Sequence, residues 1–533
     1  MTISVRNHTL GFQIRICQDH RDQHIFGRFA EAVKEGIWAA GGVPVEILGF
    51  PQHAEISQME RKNLKYEQVG RDIVAMSVEF VTRVHNFDGL VMIASCDNII
   101  AGCYLAAMRL DIPSMVVTGG SMQPGQYCGK TVVEADLDSA RFSGATEEEL
   151  MDMEDNVCPS FGACPSMGTA NTMQMLGEVL NLVLPGTSTI PASDNAKLRR
   201  AREAGKYAVK LVKEGRKPSD LITKEVLLNA IMFDMAVAGS TNAVLHLLSY
   251  GYELGIKLTL EDFERYADEI YCINAVVPSG PYTVVDFHYA GGVMNVMKML
   301  ESKLFIDVPS MYGCTWKELL SKVTPKENEV IHSLERPLFH EPGLKILRGN
   351  LSPNGAIVRP TAVYEEVKYL KGKAKVFEGD RPAFEAIQAG DIVPGDIIVI
   401  RYEGCKGAPG MKELMLSIDA LIGLGLHKSV GLITDARFSG FNYGAIIGHV
   451  SPEAYDGGTI ALVENGDEIV IDIPNGEVNL LVSEEELTRR KADWVCPPLK
   501  EEKGCLNIYA KMCRPAEEGG AMQPWGLDAR FKR

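Results

Sequence analysis

The chain lacks several features that would decide its class at once. None of its 12 cysteines stands in a Cys-x-x-Cys pair, so a zinc ribbon has no ligand framework. Twelve cysteines spread over 533 residues do not make a disulfide scaffold either; most of them read as small buried hydrophobes. No apolar run approaches the roughly 18 residues needed to cross a bilayer. The opening Met1-Thr2-Ile3-Ser4-Val5-Arg6 has no apolar core of a secretion signal. A membrane partner and export are therefore not expected, and a reducing cytoplasm is. Positive charge is short as well. The 54 Lys and Arg face 70 Asp and Glu, giving a net charge of −16, which opposes nucleic acid and anionic membranes as partners. There is no internal repeat and no low-complexity tract.

What is present is an ordinary globular balance, 46% hydrophobic and 23% charged residues, in a chain long enough for two or three domains. The first third alternates helix and strand patterns. Phe29, Ala32, Val33, Ile37 and Ala40 predict a helix over 29–40 that stops at Gly41-Gly42. A strand over 43–48, a helix over 71–84, a buried strand over 89–94, a helix over 101–110 and a strand over 114–118 follow. That order implies a parallel sheet with ligands at the carboxyl ends of its strands. From 168 to about 300 the patterns are mostly helical, clearest over 173–184, 197–214 and 226–250. After about 360, short β-runs at 375–377, 397–400, 430–433, 461–463 and 468–471 are punctuated by Gly, Asp and Pro. The expected architecture is α/β: an N-terminal parallel-sheet domain with helical additions over 1–358, and a β-barrel-like domain over 359–533.

Two short stretches stand out chemically. Ser95-Cys96-Asp97-Asn98 ends an apolar strand run, and Gly162-Ala163-Cys164-Pro165 places a second thiol among small residues. Two thiols and a carboxylate at strand ends can hold a metal centre for acid–base chemistry. Glu403 follows a strong strand run beside the Gly-rich turn 404–411, which reads either as a barrel loop or as a carboxylate held among amides. The run Thr434-Asp435-Ala436-Arg437-Phe438-Ser439-Gly440 sets a cation and a hydroxyl at another strand end; Ser439 has no GxSxG context, which argues against a hydrolase elbow. Gly239-Ser240-Thr241-Asn242 opens a helical run and is either an amide site for an anion or a simple cap. His246, on an apolar helix, reads as a core histidine with its partners nearby.

Taken together, these segments resemble a known family. Ala32-Val33-Lys34-Glu35-Gly36, Cys96-Asp97, Gly119-Gly120, Gly162-Ala163-Cys164 with Thr169-Ala170-Asn171-Thr172-Met173, Gly239-Ser240-Thr241-Asn242, Leu347-Arg348-Gly349-Asn350-Leu351, Arg401-Tyr402-Glu403-Gly404, and Arg437-Phe438-Ser439-Gly440 through Gly448-His449-Val450-Ser451-Pro452-Glu453 are similar to the dihydroxy-acid and phosphogluconate dehydratases, from about Gly11 to Trp494. The resemblance implies an α/β N-terminal domain, a swivelling β-barrel C-terminal domain and a homodimer. It implies a lyase that removes water from a small 2,3-dihydroxy acid or sugar acid to give a 2-keto acid. It also implies an iron–sulfur cluster that acts on the departing 3-hydroxyl, a magnesium ion on the carboxylate and 2-hydroxyl, and Ser439 as the base. Arg437 and the amides around Ser240, Thr241 and Asn242 become candidates for binding the substrate's anionic end.

The chain departs from the family pattern at several ligand positions. Of three cluster cysteines, two match Cys96 and Cys164, while Asp22 falls at the third. Of the magnesium ligands, Asp97 and Glu403 match, Asn98 replaces a carbamylated lysine, and Lys62 falls at a glutamate. Pro165-Ser166 replaces a Gly-Gly. Three fillings of the thiol site follow: a cluster with Asp22 as an oxygen ligand, a single metal on Asp22, Cys96 and Cys164 with His20 or His24, or no metal. For the magnesium site, the expectation is that the Lys62 ammonium stands between Asp97 and Glu403 in place of the ion. The alternatives to a dehydratase are a descendant with metal-independent chemistry on a related hydroxy acid and a non-catalytic ligand-binding homologue.

Overall fold

The computed structural model describes residues 2–3, 11–12, 14–15, 23–49, 63–438, 440 and 442–525. Asp22, Lys62 and Ser439 lie outside the described residues.

The N-terminal layer is a four-stranded parallel sheet. Strand β1 (Ile14–Arg15) leads to helix α1 (Gln23–Ala39) and β2 (Ile47–Leu48); helix α2 (Tyr66–His85) leads to β3 (Leu90–Ala94), then α3 (Asp97–Leu110) and β4 (Ser114–Thr118). The order is β2-β1-β3-β4, all parallel. Both β3 and β4 are buried along their whole length, as their unbroken apolar runs require when helices cover both faces. The expected strand over 43–48 shortens to its last two residues; Pro44 offers no amide to a ladder.

Helices fill the next section. The predicted helix over 173–184 is α4 (Thr169–Val179). The run expected to be one helix over 226–250 is two, α5 (Lys224–Val237) and α6 (Asn242–Leu254). Ala238 takes a left-handed φ of 48° at the break. The buried Asp234 side chain fills the place of a Cβ at Gly239, with Oδ1 at 1.8 Å from it, so the helix cannot run on. Among the described residues no helix is long and apolar enough to cross a membrane.

The C-terminal layer is an eight-stranded sheet. It contains β5 (Lys345–Leu347), β6 (Gly355–Val358), β7 (Tyr369–Phe377) and β8 (Asp396–Ile400). A short outlying strand, β9 (Glu413–Leu414), then precedes β10 (Gly431–Thr434); its partner β11 (Arg437–Phe438) precedes β12 (Ile446–Ser451), β13 (Glu468–Asp472) and β14 (Glu477–Leu480). The order is β14-β13-β7-β8-β10-β12-β6-β5. A bridge between Arg348 and Glu477 links the two end strands and nearly closes the sheet. The β-barrel-like expectation therefore holds, but the layer begins at Lys345 rather than at 359. The apolar run 461–463 is a 3-10 turn (Thr459–Leu462), not a strand. Alternate residues of β8 feed two cores: Ile397 and Val399 pack inside the sheet, Ile398 and Ile400 against the helices outside.

Candidate active site

The carboxyl ends of β3 and β4 assemble the first part of the site. Cys96 caps α3 with extended dihedrals, φ −88° and ψ 150°, and Asp97 begins the helix. A carboxylate in that first turn is favoured by the helix dipole. The Cys164 loop runs alongside: Ala163 N donates to Gly120 O at 2.9 Å, and Met122 N donates to Ala163 O at 2.8 Å. Cys164 Sγ lies 3.5 Å from Ser166 Oγ. Burial pushes its thiol up to about 11, and the charges of Glu134 and Asp97 add to the shift. The two thiols and Asp97 thus share one end of the sheet.

The second part comes from the C-terminal layer. The Gly-rich turn expected over 404–411 brings Gly410 against the start of α2; a Cβ there would lie 2.0 Å from the Lys65 carbonyl oxygen, at a φ of +105°. That close approach delivers Glu413, two residues beyond the turn, to Glu67 in the first turn of α2. Oxygens of Glu67, Asp97 and Glu413 all lie within 4.8 Å of one another. All three residues are buried. Glu413 pairs in register with Arg437 across β9 and β11. Its Oε1 accepts from Asn242 Nδ2 at 2.8 Å.

Three like charges so close repel strongly: at an effective dielectric of about 20, two unit charges about 4 Å apart interact by about 4 kcal/mol. Buried cations flank them. Arg71, one turn after Glu67, donates to Gly519 O at 3.1 Å and to His246 Nδ1 at 3.2 Å. Arginine only donates, so Nδ1 accepts and the ring proton sits on Nε2. Arg437 Nε donates to Met411 O at 2.9 Å. Burial, reinforced by Arg71, Arg437 and His449, holds His246 well below the usual imidazole range. Burial together with Arg437 pulls His449 down to about 3. Both rings are neutral at pH 7 and add no charge. His246 is thus the partnered core histidine expected.

Several predicted residues stand elsewhere. Glu403 does not join Asp97. Its Oε1 lies 3.5 Å from Lys500 Nζ, and burial raises its pKa although Lys500 and Lys412 act against the rise. Glu403 is the first acid after a strong strand run, ten residues before Glu413. Of Ser240, Thr241 and Asn242, Asn242 reaches the site through Glu413, but not as part of an anion-binding turn. Gly239 N donates to Asp234 O at 2.9 Å, Ser240 N to Thr172 Oγ1 at 3.0 Å and Asn242 N to Ser240 Oγ at 3.2 Å. The turn spends these amides inward and presents the Asn242 side chain to Glu413. Arg437 is fully buried, placed to balance carboxylates rather than to meet a ligand from solvent. Glu67 supplies a third carboxylate beside Asp97, while Lys62, expected between Asp97 and Glu403, lies outside the described residues. Gly440 meets the residue before α4: a Cβ on it would fall 2.6 Å from Gly168 Cα.

The carboxylate triad fits a hard divalent cation, which takes oxygen ligands and is commonly held by one or two carboxylates with waters. The thiol site is different. Among the described residues Cys96 and Cys164 belong to no group of three such ligands within that range. Iron–sulfur clusters are held by larger thiolate sets; Asp22, expected as the third ligand, lies outside the described residues.

Residues 13–319 match the family described as Dihydroxy-acid/6-phosphogluconate dehydratase N-terminal, and residues 329–520 match its C-terminal counterpart. The chain is 42% identical over 503 residues to the dihydroxy-acid dehydratase of Methanococcus aeolicus, covering 93% of this chain and 90% of that one. It is 44% identical over 501 residues to that of Methanosarcina barkeri, covering 92% and 90%, and 43% identical over 503 residues to that of Pyrococcus abyssi, covering 93% and 91%. These matches define the class: the protein is a hydro-lyase, an enzyme that removes water from its substrate. The chain belongs to the dihydroxy-acid/6-phosphogluconate dehydratase family. Enzymes of this family generally use an iron–sulfur cluster and magnesium.

Proposed function

We propose that this protein converts a small 2,3-dihydroxy acid into the 2-keto acid, with a divalent cation held by Glu67, Asp97 and Glu413. The convergence of three buried carboxylates from three separate chain segments within 4.8 Å carries the reading. The C2 proton and the C3 hydroxyl leave as one water, and the resulting enol tautomerises to the ketone. A bound cation supplies the Lewis acidity that holds the substrate's oxygens and makes the C2 proton more acidic.

The chain's own residues do the rest. Asp97 and Glu413 hold the ion from opposite layers, and Glu67 adds the charge that the family's lysine position, here Asn98, does not. Asn242 fixes one Glu413 oxygen, leaving the carboxylate little freedom to turn away. Arg437 offsets part of the negative charge beside it. Ser439 takes the C2 proton; the packing of the next residue, Gly440, against Gly168 supports this reading. No step is assigned to Cys96, Cys164 or Asp22. A homodimer belongs to the same reading. Met76, Phe80 and Val84, four residues apart on α2 and exposed by 41%, 68% and 63%, support an interface.

Protein purified without oxygen and given magnesium is expected to form a keto acid, trapped as its hydrazone, from a branched-chain 2,3-dihydroxy acid or from an aldonic acid. Failure with both would reject the reading. Gly410→Ala is expected to weaken divalent-ion binding by about tenfold or more, since its Cβ would push the turn off α2 and draw Glu413 from Glu67. Calorimetric titration with magnesium checks this; an unchanged affinity would contradict the role given to the turn.

A further inference from the structure

Arg359 joins the two layers at a single buried point. It follows β6 directly and is 1% exposed. Its Nη1 donates to the carbonyl of Gly440 at 2.7 Å, and its Nη2 donates to the carbonyl of Gly239 at 2.7 Å. The first carbonyl comes immediately after Ser439. The second comes immediately before Ser240, in the turn whose Asn242 holds Glu413. One rigid planar fork therefore spans the residue after the proposed base and the turn that orients a proposed metal ligand.

Asp234 completes the unit. Its two carboxyl oxygens are buried without a hydrogen-bond partner among the described residues. Its charge acts on Arg359, and its Oδ1 sits against Gly239. The guanidinium is thus held by two carbonyls with a carboxyl nearby, a costly arrangement in a core. A lysine could match the charge but not both directions at once.

We infer that Arg359 is a positioning residue for the dehydration, fixing the Ser439 turn against the Asn242–Glu413 pair by bridging the carbonyls of Gly440 and Gly239. This rests on the reading of the site given under Proposed function. The Gly440 turn has little room to settle elsewhere, because it already lies against Gly168.

The test compares the unaltered enzyme with Arg359→Lys and Arg359→Ala. Arg359→Lys keeps a cation opposite Asp234 and is expected to fold as the unaltered enzyme does. Its kcat is expected to fall about 100-fold with little change in KM. Added guanidinium ion is expected to restore part of the kcat of Arg359→Ala. Amide hydrogen exchange across 436–444 is expected to rise in both variants, while exchange in Leu90–Ala94 stays as it was. A folded Arg359→Lys with unchanged kcat, or with unchanged exchange across 436–444, would overturn the inference. If Arg359→Ala does not fold, Arg359→Lys decides alone. If the unaltered enzyme forms no keto acid, the reaction assigned above fails, whereas hydrogen exchange still decides whether Arg359 holds the turn.

Discussion

Asp97→Asn and Glu413→Gln are each expected to lower kcat by about 1,000-fold, equal to about 4 kcal/mol of transition-state stabilisation, and to abolish stoichiometric magnesium binding. Three buried carboxylates share a volume in which their oxygens lie within 4.8 Å of one another. Arg71 is paired with the buried carboxylate of Asp72 at 3.3 Å, Arg437 stands in register with Glu413 and offsets one charge, and the two nearby imidazoles are held neutral. A net negative pocket remains that draws a divalent cation. Removing one carboxylate lowers that attraction and deletes a ligand together. Glu67→Gln is expected to show the same direction. Glu403→Gln is the contrasting variant. Its carboxylate faces Lys500, so kcat within a few-fold of the unaltered enzyme is expected. Steady-state kinetics with metal analysis on all four proteins checks the set; equal losses from Glu403→Gln and Glu413→Gln would count against the assignment.

Ser439→Ala is expected to lower kcat by between about 100-fold and about 10,000-fold, the range for losing a general base, while metal content and melting behaviour stay unchanged. The hydroxyl carries no ligand in this account, so binding of the ion survives its loss. Exchange of the substrate's C2 hydrogen for solvent deuterium should vanish along with turnover. Activity within a few-fold of the unaltered enzyme would assign the base elsewhere.

The parts of this site that were legible in the sequence are those written in one continuous stretch. The apolar run into Ser95-Cys96-Asp97 marked a strand end, and the strand, the helix after it and the carboxylate stand where that pattern placed them. Glu413 was not legible. Its strand is two residues long and exists only because Arg437, 24 residues later, pairs with it in parallel. Glu67 was hidden for a related reason. The apolar spacing of α2 begins only at Arg71, and the burial of its first turn depends on the distant Gly410. Arg359 carried no signal, since a single arginine after a strand looks like surface until both of its carbonyl partners are in view. The barrel-like layer was legible from alternating apolar runs. Its true start at Lys345 was not, because β5 is three residues long and is recognised only by its pairing with β6. Local pattern thus reported the elements, and pairing across long sequence separations built the site.

The most direct measurement is a crystal structure of the protein soaked with manganese, with anomalous scattering used to locate the ion. One ion is predicted between the carboxylates of Glu67, Asp97 and Glu413. An ion seated instead at Glu403 and Lys500, or no anomalous peak at the triad under saturating manganese, would contradict the account.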